Sequence, residues 1–353
     1  MDVASLFSLA AAINTPDQAL LLAVATTFSF SLAIVVIAIP GLLRKMREGG
    51  MVGRNVNKST RDEVPELGGI AALFAFSIAL SIVVGVQKLV GEIAEPPYLA
   101  VISVFFIAAM VGLIDDISNI PQRLKVVGVA FAALPLMLVH VGTEVQFPFG
   151  STIALVGTTY FVYWLVLVPA GVSGVANAMN MSAGYNGLES GQITIISTSM
   201  LAILLLRGGP EHSVIIMAAL VGAAIGLYAF NRYPAKVFVG DIGTLGMGAA
   251  LAAGIILGHI ELYGIIAILP AFYEAFATGY YSLVKKVPDR RHACHNPVIW
   301  KDGTLQPPKG AERYTLAYLI LSKKPMTEPQ LVRVLLALYG IASATVIVLS
   351  VVG

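Results

Sequence analysis

Ten times along its 353 residues the chain runs through a long, predominantly apolar stretch and then breaks into polar residues. A helix rises about 1.5 Å per residue, so about 20 such residues cross the ~30 Å hydrocarbon layer of a bilayer. The stretches lie near residues 18–40, 68–90, 98–114, 124–141, 152–176, 188–206, 213–230, 239–258, 261–284 and 331–352. With 57% apolar and only 12% charged residues, the chain is composed like an integral membrane protein rather than a soluble domain. The short alternating segments of an outer-membrane barrel are missing. The expected fold is therefore all-α and polytopic, with about ten transmembrane helices in a single domain over residues 1–353.

No Lys or Arg precedes Arg44, and the apolar run from Ala19 to Pro40 is too long for a cleaved leader, so the first stretch is expected to be a retained helix. Cys294 is the single cysteine, and no intramolecular disulfide can form. Of the 22 Lys and Arg residues, 20 fall in the odd-numbered connections or at the foot of the last helix. Only Lys88 and Arg207 lie on the other side. The positive-inside rule then puts the odd connections in the cytoplasm and both termini outside or in a lumen. A net charge of +2 gives no reason to expect nucleic-acid binding.

The polar clusters sort the same way. Asp115-Asp116, the run Asn177 to Glu189, Asp241 and the long segment 285–330 all belong to odd-numbered connections. Carboxylates and carboxamides are costly near hydrocarbon, so their one-sided concentration points to a cytoplasmic site for a metal and a phosphate. Asp115 and Asp116 precede Arg123 and Lys125 by one short turn, a charge pattern that suits a divalent cation or a phosphate ester. An internal salt-bridge cluster would look the same. Adjacent helical residues point about 100° apart, so the two aspartates are expected to differ in role. Asn177 and Asn180, three apart, would share a face of a helix end. Gly184, Asn186 and Gly187 allow tight backbone next to a ligand, or simply make a turn. Asp241 precedes an apolar run, where the helix dipole favours an anion and where an N-cap alone would also explain it. Phe238 offers a flat face for lipid or for a nucleobase.

LIDDISN, NAMNMSAGYNGLESGQ and NRYPAKVFVGD resemble the motifs of the polyprenyl-phosphate N-acetylhexosamine-1-phosphate transferases, closest to the dolichyl-phosphate GlcNAc-1-phosphotransferase branch. NKSTRDEVPELGG at 57–69 is similar to that branch's first cytoplasmic loop, so the resemblance runs from about residue 40 to 310. It implies a ten-helix membrane enzyme in which a polyprenyl or dolichyl phosphate attacks the β-phosphorus of UDP-GlcNAc and releases UMP, with Mg²⁺ required or Mn²⁺ in its place. It implies metal ligation by Asn180 and Asp241 and a pyrophosphate contact from Lys125. Asn186 and Phe238 would hold the uracil, and Asp115 and Asp116 would activate or position the acceptor. Glu66, Asn119 and Asn177 are carried over as substrate-binding positions. PDRRHACH resembles the sugar-recognition motifs of this family, which makes Arg290, Arg291, His292 and His295 expected sugar-phosphate contacts in a cytoplasmic loop spanning 285–330. Such a basic loop could equally sit on anionic lipid headgroups. The membrane would be an archaeal cell membrane or an endoplasmic reticulum, and relatives often form homodimers.

The rival reading is a cation- or proton-coupled transporter, which should carry ionisable residues near helix midpoints; here they stand almost entirely at one end. A zinc site from His292, Cys294 and His295 lacks a fourth ligand nearby. Lipid must reach Asp115 and Asp116, so a groove opening sideways between helices at the cytoplasmic leaflet is expected.

Overall fold

The structure, a computed structural model, describes residues 16–60, 62–90, 95–139, 144–146, 151–288, 290–294 and 296–352. Its long helices are α1 (Pro16–Glu48), α2 (Gly69–Val90), α3 (Pro96–Ser118), α5 (Thr158–Met181), α6 (Leu188–Arg207), α7 (Glu211–Asn231), α8 (Gly240–Leu257), α9 (Glu261–Gly279, continued as a π-turn Tyr280–Val284) and α12 (Glu328–Val352). Among the described residues these nine are long and apolar enough to cross a bilayer.

The stretch expected at 124–141 departs from one unbroken helix. It forms α4 (Gln122–Phe131) and then a 3-10 turn, Leu134–Leu138. Pro135 is the reason: it lacks an N–H, and its ring clashes with the carbonyl four residues back, that of Phe131, where α4 stops. The interruption in α5 has the same origin, since the π-turn Tyr163–Leu167 lies just before Pro169. Residues 140 and 141 fall outside the described set.

The broken segment still carries the chain across. α3 and α5 both end beside Asp241 of α8, so the chain between them must return to the opposite end. Ten residues of α-helix and five of 3-10 helix provide roughly 25 Å. A hairpin of β3 (Glu144–Gln146) and β4 (Thr152–Ala154) then leads into α5. Crossings alternate in this way from α1 to α12. The site lies at one end of the bundle; at the other end Gln87 donates to Glu211 at 2.8 Å, Lys88 pairs with Glu95, and Arg207 donates to the Ser350 carbonyl at 3.1 Å.

α8 is the central post, with every residue from Ile242 to Leu257 buried. Its sequence, GDIGTLGMGAALAAGIIL, is rich in Gly and Ala, which lets α2, α3, α5 and α7 approach its backbone closely. In lipid such close van der Waals packing replaces the hydrophobic drive of a soluble core. At the site end β1 (Val52–Arg54) pairs antiparallel with β2 (Glu63–Pro65). The 285–330 segment folds as α10 (Arg290–Cys294), a three-stranded sheet of β5 (Val298–Ile299), β6 (Thr304–Gln306) and β7 (Met326–Thr327), and α11 (Leu316–Leu321).

Candidate functional site

Lys125 stands one turn into α4 and is only 3% exposed. Its ammonium pairs with Asp115 and lies 2.5 Å from Asp241 Oδ2. α3 can present Asp115 there because it ends at Asn119, whose left-handed backbone (φ 48°) turns its N–H back to the Asp115 carbonyl. The Ile120 N–H donates to Asp115 Oδ1 at 2.8 Å, so this carboxylate is held on both sides.

Asp116 serves a different helix. Its two oxygens accept the backbone N–H groups of Asp241 (2.9 Å) and Ile242 (3.0 Å), the orphan donors of the first turn of α8. The alternative reading of Asp241 as only an N-cap is thereby set aside. The cap comes from α3, and the Asp241 side chain is left for Lys125 and for Asn180, whose amide donates to Oδ1 at 2.7 Å. Gly112, one turn before Asp116, makes this approach possible: a Cβ there would sit 2.3 Å from the Asp241 carbonyl oxygen. Asn180 Nδ2 also donates to Thr244 Oγ1 at 2.8 Å.

The first loop closes over this group. Phe238 N donates to the Pro65 carbonyl, and Gly68 N donates to the Phe238 carbonyl, both at 2.8 Å, a strand-like docking of residues 65–69 on KVFVGD. Glu66 is thus brought beside the cluster, and Gly53 leaves room for it, since a Cβ there would lie 1.7 Å from the Glu66 carboxylate. Burial, and then the charge of Asp241, push the Glu66 pKa above the usual carboxylate range. In the turn between α5 and α6, Gly184 N donates to Glu189 at 2.9 Å and Asn186 N donates to Glu328 at 2.8 Å.

These segments enclose a cavity of about 740 Å³, within the usual range for a small-molecule site. Glu66, Asp116, Lys125, Asn180, Asn186, Phe238, Asp241 and Arg290 line it. The half-buried Phe238 therefore faces the cavity. Asp115 acts from behind Lys125. Asn177 is likewise absent from the lining: the helix turns its side chain back to the Ser173 carbonyl at 2.8 Å, so it does not share a working face with Asn180. Asn119 is an exposed helix terminator, and His292 is exposed outside the cavity. The Arg290 guanidinium donates to the Tyr314 carbonyl at 2.7 Å. The Arg291 side chain and His295 lie outside the described residues.

Sequence reasoning missed several lining groups, among them Arg54, Asn57, Thr244 and Glu274. Glu274 had a signal, an acid inside the apolar run LPAFYEAF; it accepts the Leu316 N–H at 2.8 Å and so ties α9 to α11. Asn57 opens the motif NKSTRDEVPELGG and Thr244 follows Asp241 by three residues, but their partners Glu328 and Asn180 are distant in the chain.

The acids around Lys125 outnumber it, and carboxylate and carboxamide oxygens are the donors that hard divalent cations take. Asp241, Asp116, Glu66 and Asn180 therefore fit such an ion by chemistry. Among the described residues no three His, Cys, Asp or Glu side chains form a ready ligand group, and His295 of the zinc alternative lies outside them.

A family model described as glycosyl transferase family 4 matches residues 98–259, which takes in Asp115 through Asp241. A candidate UDP-N-acetylglucosamine–dolichyl-phosphate N-acetylglucosaminephosphotransferase of Sulfolobus acidocaldarius is 32% identical over 238 residues, 66% of this chain and 70% of the relative. One of the same description from Saccharolobus solfataricus is 31% identical over 252 residues, 70% and 75% of the two chains. A phospho-N-acetylmuramoyl-pentapeptide-transferase of Desulforamulus reducens is 31% identical over 258 residues, 68% and 74%.

Proposed function

Because the chain belongs to glycosyl transferase family 4, we propose that it transfers N-acetylglucosamine 1-phosphate from UDP-GlcNAc to a polyprenyl or dolichyl phosphate at the cytoplasmic face of its membrane. The acceptor phosphate oxygen bonds to the β-phosphorus, the bond from that phosphorus to the bridging oxygen breaks, and UMP leaves. The product is a lipid-linked sugar diphosphate, the starting point of an oligosaccharide built on lipid.

One observation carries this reading. The cavity joins Lys125, Asn180 and Asp241 at one end to Pro270 on α9, nine residues before that helix ends and so about 13 Å along it. A polar, charged reaction centre thus continues into the membrane-spanning layer, as a water-soluble nucleotide sugar and a lipid acceptor require. Leu124 and Phe131 on α4 and Leu269 and Phe276 on α9, the helices that bring Lys125 and Pro270 to the cavity, are exposed apolar side chains.

The acceptor needs little help as a nucleophile. The second pKa of a phosphate monoester is about 6, so at neutral pH it is mostly a dianion. The obstacle is repulsion between anions, which Lys125, with Arg54 and Arg123 on the cavity wall, reduces. Asp115 holds Lys125, and Asp116 holds the start of α8, so the pair positions charge rather than removing a proton. Mg²⁺, with Mn²⁺ as a substitute, would be held by Asp241 and Asn180 and would supply charge neutralisation at the leaving phosphate.

The test is UMP release by detergent-purified protein given UDP-GlcNAc, a polyprenyl phosphate and Mg²⁺. Release that needs both lipid and metal is expected. Release only with UDP-N-acetylmuramoyl-pentapeptide would keep the chemistry and change the transferred group to the phospho-N-acetylmuramoyl-pentapeptide in the name of the Desulforamulus relative. No release with any UDP-sugar would remove the reading.

A further inference from the structure

Glu328, the first residue of α12, is 3% exposed and stands behind the cavity, outside its lining. An acid at that position ordinarily serves its own helix. At that helix start Gln330 Oε1 accepts the Thr327 N–H at 3.0 Å. Glu328 Oε1 instead accepts two donors from distant parts of the chain, the Asn186 N–H at 2.8 Å and Asn57 Nδ2 at 3.2 Å. Asn57 Nδ2 also donates to the Gly184 carbonyl at 2.6 Å, and the Asn57 N–H donates to Asn55 Oδ1 at 3.1 Å. One carboxylate oxygen thus clamps the first loop to the turn that carries Asn186.

Both donors are fixed in kind, since a backbone N–H and an amide NH₂ can only donate there. An acceptor-only group suits them. Burying a carboxylate is costly unless donors meet it, so its presence in this position calls for a role beyond packing. Asn55, Asn57 and Asn186 all line the cavity. We infer that Glu328 is a positioning residue for the nucleotide: through Asn57 and the Asn186 backbone it fixes one wall of the cavity that takes the UDP-sugar. This rests on the transferase reading above. Glu328 also directly follows β7 of the 285–330 segment, so that wall is anchored to the same segment expected to hold the sugar.

The test compares wild type with E328A, E328Q and N57A in detergent with Mg²⁺, reading kcat, the KM for UDP-GlcNAc, the KM for polyprenyl phosphate, and the Kd of UMP by calorimetry. Losing hydrogen bonds to a charged acceptor should raise the UDP-GlcNAc KM and the UMP Kd together by about tenfold in E328A. The kcat and the acceptor KM should stay within about twofold. E328Q keeps an acceptor oxygen and should recover most of the affinity, and N57A should lose part of it. Should E328A fail to fold, N57A and E328Q decide: wild-type nucleotide affinity in N57A, or no rescue in a folded E328Q, overturns the inference. A matched loss in kcat and in acceptor KM overturns it too. Wild-type protein that neither binds UMP nor turns over would instead mark failure of the transferase reading.

Discussion

Lys125 pairs with two carboxylates at once, and it is as deeply buried as Asp115 beside it. Removing one partner of a buried pair leaves an uncompensated charge, at a cost of about 3–5 kcal/mol. Lys125→Met should lower stability by about that amount in detergent melts and abolish turnover. Adding Asp115→Asn to it should restore part of the stability and none of the activity. Glu66 gives a pH signature. Burial and the Asp241 charge raise its pKa in the fold, so the fold prefers its protonated form. That contribution is complete below the ordinary Glu value of about 4.3 and is lost as pH rises through the raised one. Glu66→Gln stays neutral, so its Tm advantage over wild type should grow as pH rises above the ordinary Glu value of about 4.3. A constant difference across that range would show that Glu66 does not titrate there.

At the scale of elements, the site depends on two helices meeting without a side chain between them. Gly112 lets α3 touch the first turn of α8, and Asp116 one turn later caps it. Gly112→Ala should push α8 away, costing about 1–3 kcal/mol and more than tenfold in rate, measured as Tm and UMP release. Gly85 in α2 is the control, since a Cβ there meets nothing within 4 Å. Gly85→Ala should be neutral or stabilising by up to about 1 kcal/mol. The interruption at Pro135 belongs to this scale as well: a short α4 places Lys125 at the site without requiring one straight helix through the layer.

For the whole molecule, alternating crossings bring the first loop, the turns after α3, α5 and α7, and the 285–330 segment to one end. From the Lys and Arg bias we propose that this end faces the cytoplasm. The exposed Lys301 reports on it. In a Cys294→Ser background, Lys301→Cys should react with a membrane-impermeant thiol reagent in inside-out vesicles and not in right-side-out ones. The opposite pattern would invert the orientation and place the nucleotide end on the wrong side for a cytoplasmic UDP-sugar.

By itself the sequence determined the class of fold and the approximate crossings, because a helix in hydrocarbon must satisfy its backbone internally and declare itself as a long apolar run. It also marked Asp115, Asp116, Lys125, Asn180 and Asp241, since polar groups at apolar helix ends stand out against their surroundings. Periodicity could not say that Asn177 turns back onto its own helix, that Asp116 caps α8, or that Glu328 clamps Asn57 to the turn carrying Asn186. Those are contacts between residues up to 271 positions apart. Local pattern records which face a residue is on, and only the packing of helix against helix decides what meets it there.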